Sequence, residues 1–123
     1  MTRFRPGRNI AMKVPQRDYD ATVRFYVETL GFDVIEQDAD GTIIAFGDVR
    51  LNIDRVPGQS QTDVWFQVQT DDTGKARSVL ASNGVTFCDE VEALPDGFDG
   101  FWIAAPNGVV HLVDAADIGG QDG

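Results

Sequence analysis

Residues 18–34 read DYDATVRFYVETLGFDV, and the organisation of this 123-residue chain follows from this stretch outward. Its apolar side chains recur at the spacing of one helix face, at Tyr19, Val23, Tyr26, Val27 and Leu30. Either Asp18 or Asp20 can cap the start of such a helix, and Gly31 can adopt the left-handed conformation that ends it. The stretch therefore predicts an amphipathic helix that leads directly into a strand.

The segments on both sides of this helix alternate between apolar and polar residues, which is typical of half-buried strands. Before the helix, Ile10, Met12 and Val14 fall on one side of a strand that ends at Pro15. After the helix, turn residues separate three further predicted strands, at residues 32–37, 42–46 and 49–54. The order is thus one strand, one helix and three strands, a βαβββ module.

The same order returns in the second half of the chain. Ile10 and Val64 begin matching strands 54 positions apart, and Gly31 and Gly84 end matching helices 53 positions apart. Either Asp71 or Asp72 can cap the second helix. We therefore predict an α+β fold in one domain, residues 1–123, whose two tandem βαβββ modules (9–56 and 62–115) form a curved mixed sheet, followed by a flexible tail at 116–123.

Composition and charge narrow the class of protein. The chain is 42% hydrophobic and 24% charged, as in ordinary globular proteins, and no apolar run is long enough to cross a membrane. Its one cysteine, Cys88, and the lack of a secretory leader predict a cytoplasmic protein. Residues 1–17 carry five bases and no acid, whereas residues 18–123 carry 5 − 20 = −15 charges. An acidic body of this kind disfavours nucleic acid, and it either favours a cationic ligand or simply maintains solubility.

One sheet face remains uncovered in the predicted fold, because each module has a single helix for its strands. Alternation assigns to this face a polar and aromatic set of side chains, which suits a small molecule. These are Asn9, Ala11, Lys13, Arg50, Asn52, Asp63, Trp65, Gln67, Trp102 and His111.

Three motifs give the chain a family resemblance. Residues 23–34 are similar to a motif F-Y-x-x-x-L-G-F, residues 105–108 to a turn D-P-x-G, and residues 83–87 to a segment G-V-x-F. On these motifs the chain resembles the vicinal oxygen chelate superfamily, which includes glyoxalase I, extradiol dioxygenases, fosfomycin-resistance enzymes and bleomycin-resistance proteins. The resemblance covers residues 9–114 and implies the fold of that superfamily.

The resemblance also implies where a divalent metal would bind. The first ligand position falls on Asn9, the second on Arg50 or Asn52, the third on Asp63 or its neighbour, and the fourth on His111. An amide is a poor ligand for such a metal and a guanidinium is none, so only Asp63 and His111 could coordinate. We therefore expect neither a metal nor another cofactor, and the ligand positions favour a binding protein over an enzyme, although they leave enzymatic activity open. The alternative is a metal-dependent lyase or dioxygenase with a different ligand set.

Residues 101–114 are particularly similar to the end of bleomycin-resistance proteins. That similarity implies a homodimer with a role in antibiotic resistance, which sequesters a small aromatic or cationic molecule in a pocket at the dimer interface. The expected ligand-binding residues are Asn9, Arg50, Asn52, Trp65, Gln67, Trp102 and His111. Trp65 and Trp102 would stack on the ligand, or else pack against the partner copy or fill the site themselves.

Three alternatives remain open at this stage. Lys13 and Arg50, if they line the site, would favour an anionic ligand over a cationic one. His111 is either a hydrogen-bonded strand residue or a ligand contact, whereas Cys88 has no neighbouring catalytic motif and is expected to be a passive thiol. A small interaction module that docks a basic partner protein would also explain the acidic surface.

Overall fold

A computed structural model describes residues 2–116. These residues form two compact units. The N-terminal unit is Arg8–Trp65, and the C-terminal unit combines residues 2–7 with residues 66–116. The predicted tail at 116–123 lies, apart from Ala116, outside the described residues. The elements are β1 (Phe4–Pro15), α1 (Gln16–Arg24), β2 (Val34–Gln37), β3 (Gly41–Phe46), β4 (Val49–Val56), β5 (Asp63–Thr70), α2 (Thr73–Ser82), β6 (Thr86–Phe87), β7 (Gly100–Ala104) and β8 (Val110–Ala115).

The N-terminal unit is a mixed sheet with one α-helix on one side. Its strands follow the order β2-β3-β4-β1, in which β1 and β4 run parallel and the other pairs run antiparallel. Side chains from α1 and the sheet form its buried core: Val14, Tyr19, Ile44, Leu51 and Ile53. The Tyr19 hydroxyl is satisfied inside this core by a 2.7 Å hydrogen bond with Thr42 Oγ1.

Helix α1 starts earlier than the sequence predicts. It begins at Gln16, directly after Pro15, and no side chain caps its first turn, so neither Asp18 nor Asp20 is the cap. Proline is tolerated at the start of a helix because the first N–H groups have no acceptor within the helix, so the missing N–H removes no hydrogen bond, and its fixed φ is compatible with entry into the helix. The predicted end is confirmed, since a π-helical turn at Phe25–Thr29 leads to Gly31 in the left-handed conformation at φ +77°.

The C-terminal unit repeats the same arrangement. Its strands follow the order β5-β8-β7-β6, with β5 and β8 parallel. Ala76 from α2 packs against three buried sheet residues, Phe101, Ile103 and Val113. Asp72 caps α2, since its Oδ1 accepts from the Lys75 backbone N–H at 2.9 Å.

The α+β class and the order strand, helix and three strands are confirmed. The predicted bounds of the two modules, 9–56 and 62–115, stay a prediction. In the structure β1 already begins at Phe4, and its first residues belong to the C-terminal unit. There Arg5 Nε donates to Gln69 Oε1 at 3.1 Å, and the Arg3 backbone N–H donates to Asp71 Oδ1 at 2.9 Å.

Neither α1 nor α2, the helices of the described chain, has the length and apolarity that a bilayer crossing requires.

Candidate functional site

The pairing of β1 with β4 decides which side chains lie on the uncovered face of the N-terminal unit. Asn9 pairs with Arg50, Ala11 with Asn52 and Lys13 with Asp54. The intervening pair Ile10 and Leu51 belongs to the core under α1, so these polar residues point to the opposite, helix-free face. The structure therefore brings three of the predicted site residues, Asn9, Arg50 and Asn52, onto one face.

Two amides meet on this face. Asn52 Nδ2 lies 3.3 Å from Asn9 Oδ1, 3.2 Å from the Ile10 carbonyl oxygen and 3.1 Å from the Arg50 carbonyl oxygen. All three contacts use the donor end of the Asn52 amide, so this side chain is oriented by protein acceptors. The result is a fixed polar surface whose amide positions are set by the backbone of β1 and β4.

A second group on the same face joins a cation, a carboxylate and an indole. Lys13 Nζ donates to Asp54 Oδ2 at 2.7 Å and lies 4.4 Å from the centre of the Trp65 ring. The Lys13 side chain is only 8% exposed, whereas that of Asp54 is 32% exposed. We call these three side chains the Lys13 cluster. Sequence reasoning named Lys13 and Trp65 but missed Asp54, although its opposite charge at the matching position of a neighbouring predicted strand was a usable signal.

A small cavity borders the Lys13 cluster in the same unit. It has a volume of about 140 Å³, and its walls include Asn52 and Asp54 of β4. The remaining walls come from β2, β3 and the turn between them, which carries Asp38 and Asp40. The cavity adds acidic surroundings to the carboxylate side of the cluster.

The C-terminal unit corrects one sequence-based assignment. His111 pairs with Ile103 on β7 and with Phe66 on β5, so it lies on the helix side of the sheet and not on the uncovered face. Leu112 takes the uncovered side instead, since it pairs with Gln67 and Trp102. The prediction failed because residues 109–113 are apolar on both sides of the strand, which leaves alternation ambiguous until Val113 is seen to be fully buried.

His111 has its own surroundings on that helix side. Its Nδ1 lies 3.0 Å from the Val109 carbonyl oxygen, and its ring centre lies 5.4 Å from that of Phe66. It also lines a groove of about 410 Å³ together with Phe4 and Pro6. The hydrogen-bonded interpretation of His111 accounts for these contacts.

Trp102 lies on the uncovered side of the C-terminal unit but is only 5% exposed. Its indole N–H donates to the Glu92 carbonyl oxygen at 2.9 Å, and its backbone N–H donates to Asp89 Oδ1 at 3.0 Å. The short 3₁₀ turn Asp89–Val91 and the residue after it thus hold this tryptophan in place. In this arrangement Trp102 presents almost no ring surface to a ligand.

Gln67 is oriented by a carboxylate of the neighbouring strand. Its Nε2 lies 3.1 Å and 3.2 Å from the two carboxylate oxygens of Asp114. Burial raises the pKa of Asp114, the nearby charge of Asp99 adds to the increase, and the hydrogen bond from Gln67 opposes it. Asp114 is therefore held with its charge poorly solvated.

The side chains at the implied metal positions do not fit a metal. Asn9 and Asn52 bond to each other, and Arg50 brings a positive charge to the same face. Asp63 accepts from Gln59 Nε2 at 2.8 Å, and His111 lies on the helix side of its own unit. Within residues 2–116, no three histidine, cysteine or acidic side chains form a group that could hold a metal ion.

Cys88 is a poor nucleophile in this structure. It is 8% exposed, and burial raises the pKa of its thiol, with Glu90 and Asp89 adding to the effect. A thiol that stays protonated at neutral pH is weakly reactive. These surroundings agree with the interpretation of Cys88 as a passive residue.

Comparison with known proteins shows the family. Residues 10–113 match the model of the Glyoxalase/Bleomycin resistance protein/Dioxygenase superfamily, and the chain belongs to that superfamily. A bleomycin resistance protein from Klebsiella pneumoniae is 40% identical over 53 residues, which span 43% of this chain and 41% of that protein. The match thus covers less than half of the relative.

Solved structures show the same fold. The Mn(II)-bound glyoxalase from Novosphingobium aromaticivorans superposes with a TM-score of 0.67 at 21% identity, covering 94% of this chain and 40% of that one. A superfamily member from Vibrio splendidus 12B01 superposes with a TM-score of 0.60 at 18% identity, covering 94% of this chain and 100% of that one. At these identities the likeness concerns the fold alone.

Proposed function

We propose that this chain is a metal-independent binding protein that sequesters a small aromatic molecule on the uncovered sheet face of its N-terminal unit. The observation that supports this function is the makeup of that face. Asn9, Arg50 and Asn52 occupy the places where the family resemblance implies metal ligands, and Trp65 supplies an indole on the same face, next to Lys13. Such a face can hold a polar aromatic compound but offers a metal almost no donors.

Binding in this proposal makes and breaks no covalent bond. The Trp65 ring contributes stacking of about 0.5–1.5 kcal/mol, and the guanidinium of Arg50 can donate to polar groups of the ligand. The fixed amides of Asn9 and Asn52 limit how a ligand can orient, since their donor and acceptor positions are already set. The protein would act by holding its ligand away from other targets, one molecule for each site.

Three other predicted contacts are not used in this proposal. Trp102 is covered, His111 faces the helix side, and Gln67 is bonded to Asp114. They stay predictions from the sequence. The match to a bleomycin resistance protein, which spans less than half of either chain, supports a resistance role as a further part of the proposal, and the homodimer that the resemblance implies belongs to the proposal too.

The test uses an uncharged planar probe, 1-naphthylmethanol, measured by isothermal titration calorimetry. We expect Trp65→Ala to weaken its binding by about two- to tenfold, which corresponds to the loss of one stacking contact. Phe98→Ala is the matched control, because Phe98 is an aromatic residue of the C-terminal unit that is 40% exposed. Equal affinity for the wild type and both variants would contradict the proposed site, as would no binding at all.

A metal assay addresses the other half of the proposal. We expect protein purified without chelators to contain no stoichiometric Zn, Ni, Mn or Fe by elemental analysis, and its binding of 1-naphthylmethanol to be unchanged by a chelator. A metal ion present at one per chain and required for binding would show that the metal-dependent alternative is correct.

A further inference from the structure

We infer that Lys13 is a tethered occupant of an organic-cation site formed by Trp65 and Asp54, and that it makes this face reject cationic ligands. The inference deepens the proposed function, because it names the ligand class as neutral or anionic aromatic compounds. This statement about the natural ligand rests on the proposed function. The cation site itself is argued from the Lys13 cluster alone.

The cluster has the two components that recognise an ammonium group. An aromatic face attracts a cation through its quadrupole, and a carboxylate adds a charge-assisted hydrogen bond. Lys13 Nζ engages both at once, 4.4 Å from the centre of the Trp65 ring and 2.7 Å from Asp54 Oδ2. A ligand cation that sought the same two groups would therefore meet the Lys13 ammonium already in place.

The backbone keeps Lys13 there. Lys13 and Asp54 are register partners on the adjacent parallel strands β1 and β4, so their side chains leave the sheet side by side. The tether gives the ammonium a high effective concentration at its site, which a free ligand must exceed. The side chain is also 8% exposed, so a competitor would have to displace a group that is largely withdrawn from water.

The positive charges on this face also disfavour a cationic ligand. If a ligand cation displaced Lys13, two positive groups would lie on one small surface, and Arg50 would add a third on the same face. The protein carries a net charge of −10, which attracts cations to the molecule as a whole. The local cations Lys13 and Arg50 oppose that attraction on this face, and in this inference they set the ligand preference rather than the acidic composition.

The experiment compares two probes of the same shape, 1-naphthylmethylammonium and 1-naphthylmethanol. The readout is the ratio of their affinities in the full chain, since a general change to the site alters both affinities together. We expect the wild type to favour the alcohol. Lys13→Met keeps most of the side-chain length but removes the charge, and we expect it to raise the ratio in favour of the ammonium by about tenfold.

Two control variants make the test specific. Lys13→Arg retains a cation over the ring, so the ratio should stay close to that of the wild type. Lys13→Met combined with Asp54→Asn removes the carboxylate that the ligand would use, so most of the gain should disappear. Circular dichroism establishes that each variant is folded, and Lys13→Gln replaces Lys13→Met if the methionine variant is not.

The position of binding is read from the indole N–H resonance of Trp65, assigned by Trp65→Phe. We expect 1-naphthylmethylammonium to shift it in Lys13→Met more than in the wild type. A folded Lys13→Met with an unchanged ratio would overturn the inference, as would an equal gain in the double variant. The proposed function is judged separately, by Trp65→Ala with the uncharged probe. If the wild type binds neither probe, the proposed function fails, and the inference is judged by whether Lys13→Met gains binding of 1-naphthylmethylammonium.

Discussion

Individual side chains on the uncovered faces are held by partners that come from distant positions in the sequence. Lys13 and Asp54 are 41 residues apart, and Gln67 and Asp114 are 47 residues apart. In the first pair the carboxylate meets a full positive charge, whereas in the second its side-chain partner is an uncharged amide. The two carboxylates therefore lie in different electrostatic environments. Asp54 neutralises a nearly buried cation, whereas the charge of Asp114 is poorly stabilised by its surroundings.

Replacing Asp114 by asparagine should stabilise the protein at neutral pH. The pKa of Asp114 is raised above its ordinary value of 3.8, so the folded state binds this proton more tightly than the unfolded state. Its favourable contribution is fully present below pH 3.8 and is lost as the pH rises through the higher folded pKa. We expect Asp114→Asn to have the larger free energy of unfolding at pH 7, because asparagine carries no charge that burial would destabilise.

Urea denaturation at pH 7 and at a pH below 3.8 checks this expectation. The advantage of Asp114→Asn should shrink at the lower pH, because the wild-type side chain is then also uncharged. Asp48→Asn is the control, since Asp48 is exposed in a turn. A variant less stable than the wild type at pH 7 would show that the carboxylate form of Asp114 is favoured by its contact with Gln67.

At the scale of elements, adjacent residues can compete for one structural role, and helix α2 shows how the choice is made. Asp71 and Asp72 are chemically identical candidates for its cap. The backbone of Asp72 is extended, with φ −152° and ψ 100°, and its carboxylate reaches the Lys75 N–H. Asp71 instead accepts from the backbone N–H of Arg3, in the first described residues of the same unit.

The two aspartates should therefore differ in their effect on stability. We expect Asp72→Ala to lower the free energy of unfolding by about 1 kcal/mol, because an orphan N–H at the start of α2 loses its acceptor. Asp71→Ala should cost less, since it removes an exposed contact. Thermal and urea unfolding of both variants measure the difference, and an equal or larger loss in Asp71→Ala would contradict this assignment of the cap.

At the scale of the whole molecule, the described chain exposes a large amount of aromatic surface. Five phenylalanines within residues 2–116 are 39% exposed or more: Phe4, Phe25, Phe46, Phe66 and Phe98. Phe25 and Phe46 continue an aromatic cluster with Tyr26 and Phe32 at the end of α1. Exposed apolar patches of this kind favour association with another surface.

We expect the protein to form a homodimer in solution for this reason. Sedimentation velocity should show a species of twice 13.4 kDa that dissociates only on strong dilution. Measurements at several salt concentrations separate apolar association from repulsion between copies that each carry −10 charges. A single species of 13.4 kDa at every concentration would contradict the expectation.

The sequence by itself determined the elements and their order. Periodicity is a local property, so the apolar stripe of α1, Gly31 at its end and the strand alternation up to Ile53 could be identified without knowing any partner. The repeat of 54 and 53 positions then predicted the α+β class with two βαβββ modules, and the motifs at residues 23–34, 83–87 and 105–108 carried the resemblance to the family. Asn9, Arg50 and Asn52 were placed on the correct face because Ile10 and Leu51 beside them are unambiguously apolar.

Only the tertiary structure decided how single residues are used. The pairing of β7 with β8 decided on which face His111 lies, and the turn Asp89–Val91 decided that Trp102 is buried. The partner of Lys13 is Asp54, which lies 41 residues further along the chain. These are contacts between distant positions, and an apolar or charged residue type does not specify its distant partner. The chemistry of the candidate site, in which the protein's own Lys13 cation lies 4.4 Å from the centre of the Trp65 ring, therefore could not be predicted before the pairing of the strands was known.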